Sequence, residues 1–227
     1  MNGLTPNCLD VFFFSNTPDP QFLELIFAPK MPFPFGGKTG ILLHGTWGTG
    51  KTTLAELLPE LLEAAYSNTW NANQGIGQMP AAVPSHTHKK LFRCGGGLSS
   101  TTIIQTINGL NNHLNFFHNS GHDYFVMDEV ERLTIDAQRS LRSPMGLERC
   151  MFFLTTNYLS KVDQGIVNRC HLVEMNQATT PIAYVPLGQS VVVNMGLKRS
   201  ALPAKLLQQL AMNARGSIRD YINDVVI

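Results

Sequence analysis

Gly45, Gly50, Lys51 and Thr52 stand in the spacing G-x-x-x-x-G-K-T within "GTWGTGKTT", residues 45–53. Glycines without a Cβ let successive backbone N–H groups curl around phosphate oxygens; a lysine neutralises the outer phosphates, and the hydroxyl after it can ligate Mg²⁺. The residues expected to line such a cradle are Gly45, Thr46, Gly48, Thr49, Gly50, Lys51, Thr52 and Thr53. A cradle binds a polyphosphate, but hydrolysis needs an activated water. Asp128 and Glu129 close the apolar run "YFVM" and offer two adjacent acids. One, Asp128, is expected to share Mg²⁺ with Thr52, and the other, Glu129, to polarise the attacking water. Asn157 closes the next apolar run, "MFFLTT", where its amide could donate to a terminal phosphate or to that water.

Elements must bring these groups to one place. "GILLH" reads as a short strand before the glycine loop, and "KTTLAELLPELLEAAY" runs with helical periodicity from Lys51 to about Tyr66. Residues 67–90 are rich in Asn, Gly, Pro and Ser and read as a surface insertion. "KLFRC" resumes as a strand, and "STTIIQTINGLNNHLNFF" fits a helix capped by Ser99 or Ser100. Strand "DYFVMD", a helix capped by Thr134, strand "CMFFLTTN" and strand "CHLVEM" follow. Continuous apolar strands alternating with helices predict a doubly wound parallel α/β sheet covered on both faces. In such a sheet the strand ends that carry Asp128, Glu129 and Asn157 lie beside the phosphate loop. Past Glu174, "NQATTPIAYVPLGQS" reads as a linker, and "LPAKLLQQLAMNA" and "GSIRDYINDVV" as closing helices. The expected division is a nucleotide-binding core over 1–176, with an insertion at about 67–90, and a short helical lid over 177–227.

Composition sets limits on partners. The chain has 227 residues, 44% of them hydrophobic, and a net charge of +1, so no global field draws it to nucleic acid or to an anionic membrane. Cys8, Cys94, Cys150 and Cys170 form no C-x-x-C pair and read as reduced thiols of a cytoplasmic protein. The longest apolar clusters, "VFFF" and "MFFL", fall far short of a membrane span. His86, His88 and Cys94 lack a fourth ligand for zinc. "SKVD" at 160–163 glances at a guanine-reading motif, but "MDEV" has no D-x-x-G, which favours ATP over GTP.

Phosphate loop, "DE", strand-end Asn, the "NRC" that follows and the terminal "GSIRD" resemble, in order and spacing, the AAA+ ATPases. Within them, "MDEVERLTIDAQRSLR" and "FFLTTNYLSKVDQGIVNRC" look most like the clamp-loader clade. The resemblance implies ATP and Mg²⁺, Asn157 as first sensor, Arg169 as a finger reaching a neighbour's γ-phosphate, and Arg219 as second sensor on the lid. It implies an oligomer with nucleotide at subunit interfaces, a protein client, and DNA met through the assembly. The task it implies is loading or remodelling a protein on DNA during replication. Helicase loaders, transposition regulators and phage-encoded remodellers are alternatives, as is an ATP-dependent switch with little turnover. The chain departs from the clade in having Trp47 inside the phosphate loop, "NRC" for Ser-Arg-Cys, and an end soon after the second sensor. The expected unit is therefore an ATPase module without a collar.

Overall fold

The computed structural model describes residues 12–14, 18–27, 33–66, 87–95, 99–111, 120–147, 149–178 and 180–227. Five strands form one wholly parallel sheet: β1 (Gly40–His44), β2 (Lys89–Arg93), β3 (Asp123–Asp128), β4 (Cys150–Thr156) and β5 (Cys170–Glu174). Their spatial order is β2-β3-β4-β1-β5, so β1 lies between β4 and β5. All seven residues of β4 are buried, as are the first five of β3. Burial on two faces is why these strands are apolar without alternation.

Successive residues nonetheless serve opposite faces. Ile41, Leu43, Val126, Met151 and Phe153 pack with α1 (Pro18–Phe27) and α2 (Lys51–Tyr66) through Leu23, Leu54, Leu58 and Leu61. Leu42, Phe125, Met127, Phe152 and Leu154 pack on the other side. There α3 (Ser100–Asn111) contributes Ile103 and Ile107, α4 (Ile135–Ser140) contributes Ala137, and α5 (Gln164–Val167) contributes Ile166. The Ser99 hydroxyl accepts the Thr102 N–H, and Thr134 accepts that of Ala137, so both helices start on side-chain caps.

Two readings from sequence need correction, and one element went unmarked. The stretch read as a linker holds a short 3₁₀ turn (Pro181–Tyr184) and then a helix, α6 (Val185–Asn194). Pro186 falls in its first turn, where a missing N–H costs nothing, and burial of Leu187, Val191 and Val192 outweighs the low propensity of Gly188. Strand β2 begins at Lys89, one residue before the expected start, and residues 67–86 of the expected insertion lie outside those described. Helix α1 stands where sequence periodicity marked no element.

The C-terminal segment is helical throughout its core. Helices α6, α7 (Ala204–Asn213) and α8 (Ile218–Val226) share a cluster of Tyr184, Leu187, Val191, Leu207, Ala211, Tyr221 and Val225. The Tyr221 hydroxyl donates to the Tyr184 carbonyl at 2.9 Å, which satisfies the one polar atom of a fully buried ring. Cys94, Cys150 and Cys170 are buried, and burial pushes the first two thiols up to about 12; Cys8 lies outside the described residues. Among the described residues no group of three or more His, Cys, Asp or Glu could hold a metal, and no helix is long and apolar enough to cross a membrane.

Candidate functional site

Strand β1 ends in the glycine loop at the carboxyl edge of the sheet, and the loop is fastened to β5. Met175 N–H donates to the His44 carbonyl at 2.7 Å, and Thr46 N–H to Asn176 Oδ1 at 3.1 Å. The Asn176 amide in turn donates to Glu174 Oε1 at 2.7 Å. Gly45 must be glycine: its φ is +137°, and a Cβ there would sit 2.0 Å from the Met175 carbonyl oxygen. From Gly50 the chain enters α2, with Leu54 N–H on the Gly50 carbonyl.

Lys51 lies under the loop, its ammonium donating to the carbonyls of Gly45 (3.1 Å) and Thr46 (2.5 Å). Burial lowers its pKa to about 8, against the pull of Glu131, Asp128 and Glu129, in that order. Thr52 follows it in the first turn of α2. Its hydroxyl donates to Asp128 Oδ1 at 2.6 Å, the same oxygen that accepts from Thr155 Oγ1 at 2.8 Å. Thr155 Oγ1 also accepts the Glu129 N–H at 2.9 Å. One run of hydrogen bonds thus ties α2, β3 and β4 at a single point. Hydroxyl and carboxylate oxygens side by side are hard ligands of the kind Mg²⁺ takes, and Mg²⁺ bound partly by phosphates needs no all-protein cage.

Glu129 is the first residue past β3 and has left-handed backbone, φ 56° and ψ 54°. A non-glycine residue there costs about 1–3 kcal/mol, a strain that clusters at functional sites. Its carboxylate pairs with Arg132 at 3.0 Å. Asn157 is the first residue past β4 and faces the same cleft, its backbone N–H held by Glu131 Oε1 at 3.0 Å.

The helical segment closes the other wall. Ile218 N–H donates to the Gly48 carbonyl at 2.8 Å, which docks the start of α8 on the phosphate loop. Gly48 has φ +74°, and a Cβ there would lie 2.5 Å from the Ser217 hydroxyl, so the close approach also requires glycine. The cleft between sheet edge and α8 measures about 910 Å³. Gly48, Thr49, Gly50, Lys51, Thr52 and Thr53 line it, with Asp128, Glu129, Thr155, Asn157 and Arg219. Trp47 stands at its rim, 60% exposed and edge-on to Tyr158 at 5.4 Å.

Arg169 is not with them. It precedes Cys170, which pairs with Gly40 at the amino edge of the sheet, and its guanidinium donates to the Gly165 carbonyl at 2.9 Å. Asp163 of "SKVD" caps α5 and pairs with Arg142, a structural use. Sequence reasoning missed Thr155, Asn176, Glu131 and Arg132. The signals were a buried threonine at the end of an apolar strand and a third acid in "DEVE".

No family model matches the chain, and no curated protein does. Solved structures do. The RuvB Holliday junction branch migration motor of Thermotoga maritima superimposes with TM-score 0.66 at 15% identity, over 98% of this chain and 64% of that one. A point variant of the same RuvB gives 0.69 at 16% identity, with the same coverage. PCH-2 of C. elegans gives 0.59 at 15% identity, over 94% of this chain and 62% of that one. The chain thus spans a little under two thirds of the length of these structures. Together with the sheet order and the helical C-terminal segment, these likenesses show that the chain has the AAA+ type of P-loop NTPase fold.

Proposed function

We propose that the chain is an ATP-hydrolysing AAA+ module, active as an oligomer, that loads or remodels a protein on DNA in the manner of a clamp-loader subunit. ATP is the substrate, held by the loop from Gly45 to Thr53 between sheet edge and lid. The observation that carries the reading is the run Thr52–Asp128–Thr155–Glu129, in which a hydroxyl and a carboxylate of the kind Mg²⁺ takes lie beside the backbone of Glu129 in one cleft. Mg²⁺ on Thr52 and Asp128 would supply charge to offset that developing on the phosphates. Lys51 opposes the same charge from beneath the loop. Glu129 takes a proton from the attacking water, Asn157 orients that water, and Arg219 reports from α8 on the occupied cleft. Arg169, on the far edge of the sheet, serves the cleft of a neighbouring copy. The DNA task and the clamp-loader likeness rest on the sequence pattern of "MDEVERLTIDAQRSLR".

A switch with little turnover is the second reading, favoured by the ion pair that occupies Glu129. One experiment separates them. With Glu129→Gln, ATP affinity should be retained and turnover should fall by about 10²- to 10⁴-fold, the usual worth of a general base. A wild type that binds ATP and turns over no faster than this variant would favour the switch. Failure of the wild type to bind ATP would overturn both.

A further inference from the structure

The third acid of "DEVE" has no role in the scheme above, yet its carboxylate reaches the backbone of Asn157, a residue that lines the cleft. Glu131 sits in a short 3₁₀ turn (Val130–Arg132) that leaves β3 just past Asp128 and Glu129. Its Oε1 accepts the backbone N–H of Asn157 at 3.0 Å, reaching from the end of β3 to the end of β4. Its other oxygen, Oε2, is buried and has no hydrogen-bond partner among the described residues. A buried carboxylate oxygen without a partner costs free energy and wants an explanation other than stability.

The geometry supplies one. Asn157 is the first residue beyond β4, where ladder hydrogen bonds stop; β1 and β4 last pair at His44 and Thr156. Its side-chain direction is therefore not set by the sheet. An acceptor fixed to the turn that also carries Glu129 sets it instead, and sets it relative to Glu129 itself. We infer that Glu131 is a positioning residue: by holding the Asn157 N–H from the Glu129 turn, it fixes the spacing between the base and the first sensor. Water is oriented by two groups on different strands, and Glu131 makes those two groups one unit.

This inference rests on the hydrolytic reading above, and its test separates the two. In the full chain, Glu131→Ala should lower turnover of Mg·ATP by about 10²-fold, the scale of a small misplacement, with nucleotide affinity unchanged. Glu131→Gln keeps an acceptor for the N–H and should retain most of the turnover. In an Asn157→Ala background, Glu131→Ala should cost nothing further, because the group it positions is already gone. Thermal stability should stay level or rise in both variants, which a purely structural residue would not do. Losses that multiply in the double variant would overturn the inference. So would a Gln variant as impaired as the Ala variant, since charge and not the hydrogen bond would then matter. Exchange of the Asn157 amide reads the same contact without turnover: it should quicken in Glu131→Ala and not in Glu131→Gln. If wild type does not hydrolyse ATP, the hydrolytic reading fails, and equal amide protection in all three proteins would overturn the positioning contact separately.

Discussion

Glu129 is constrained twice, by a left-handed backbone and by Arg132. Its side chain lines the cleft, and the ion pair ties its carboxylate to Arg132. Because Arg132 is 61% exposed, the pair is worth about 1 kcal/mol or less, so opening it is a small step. Arg132→Ala should raise turnover by no more than about fivefold and leave ATP affinity alone. A fall in turnover would mean that Arg132 orients the base instead of restraining it. At this scale the two acids after "YFVM" were legible because charge directly after a buried strand demands a use. Thr155 and Glu131 were not legible. What they touch depends on the register of β3 against β4, where Met127 lies beside Leu154, and no local pattern encodes that pairing.

Between elements, the decisive contact is α8 on the phosphate loop. Gly48→Ala places a Cβ against Ser217 in left-handed backbone, at a cost of about 1–3 kcal/mol. The expected result is faster exchange of the Ile218 amide and weaker ATP binding, with the sheet amides unchanged; an Ile218 amide as protected as in wild type would contradict it. A second element-scale prediction concerns β5 and α1. His171 stacks on Phe35 at 4.4 Å and lies near Phe22, and burial together with Lys38 lowers its pKa to about 4. The folded state therefore prefers the neutral ring. Its contribution to stability is complete above the ordinary histidine value of about 6.5 and is lost as pH falls from there towards 4. Melting of His171→Phe should decline less than wild type across that interval, and parallel declines would contradict the assignment. Strands and α2 were legible from apolar runs and period. Helix α6 was not, because Pro186 and Gly188 mimic a linker and only packing against Leu207 and Tyr221 makes them helical.

Across the whole molecule, the chain carries the cleft on one edge of the sheet and Arg169 on the other. Surfaces at opposite ends suit head-to-tail association, in which each copy completes the next. A net charge of +1 gives the single chain no general attraction to nucleic acid. The parallel sheet was readable from alternating strands and helices, but the order β2-β3-β4-β1-β5 was not, since strand adjacency is set by crossover packing. The most direct test is Mg·ATP turnover per chain over a dilution series, beside an equimolar mixture of Lys51→Ala and Arg169→Ala. A trans-acting finger is worth about 10³ to 10⁵ in rate, so each variant alone should be nearly inactive. Turnover by the wild type should rise with concentration, and the mixture should recover activity, because one variant keeps an intact cleft and the other an intact finger. Wild-type turnover independent of concentration, with a mixture that stays inactive, would contradict the account.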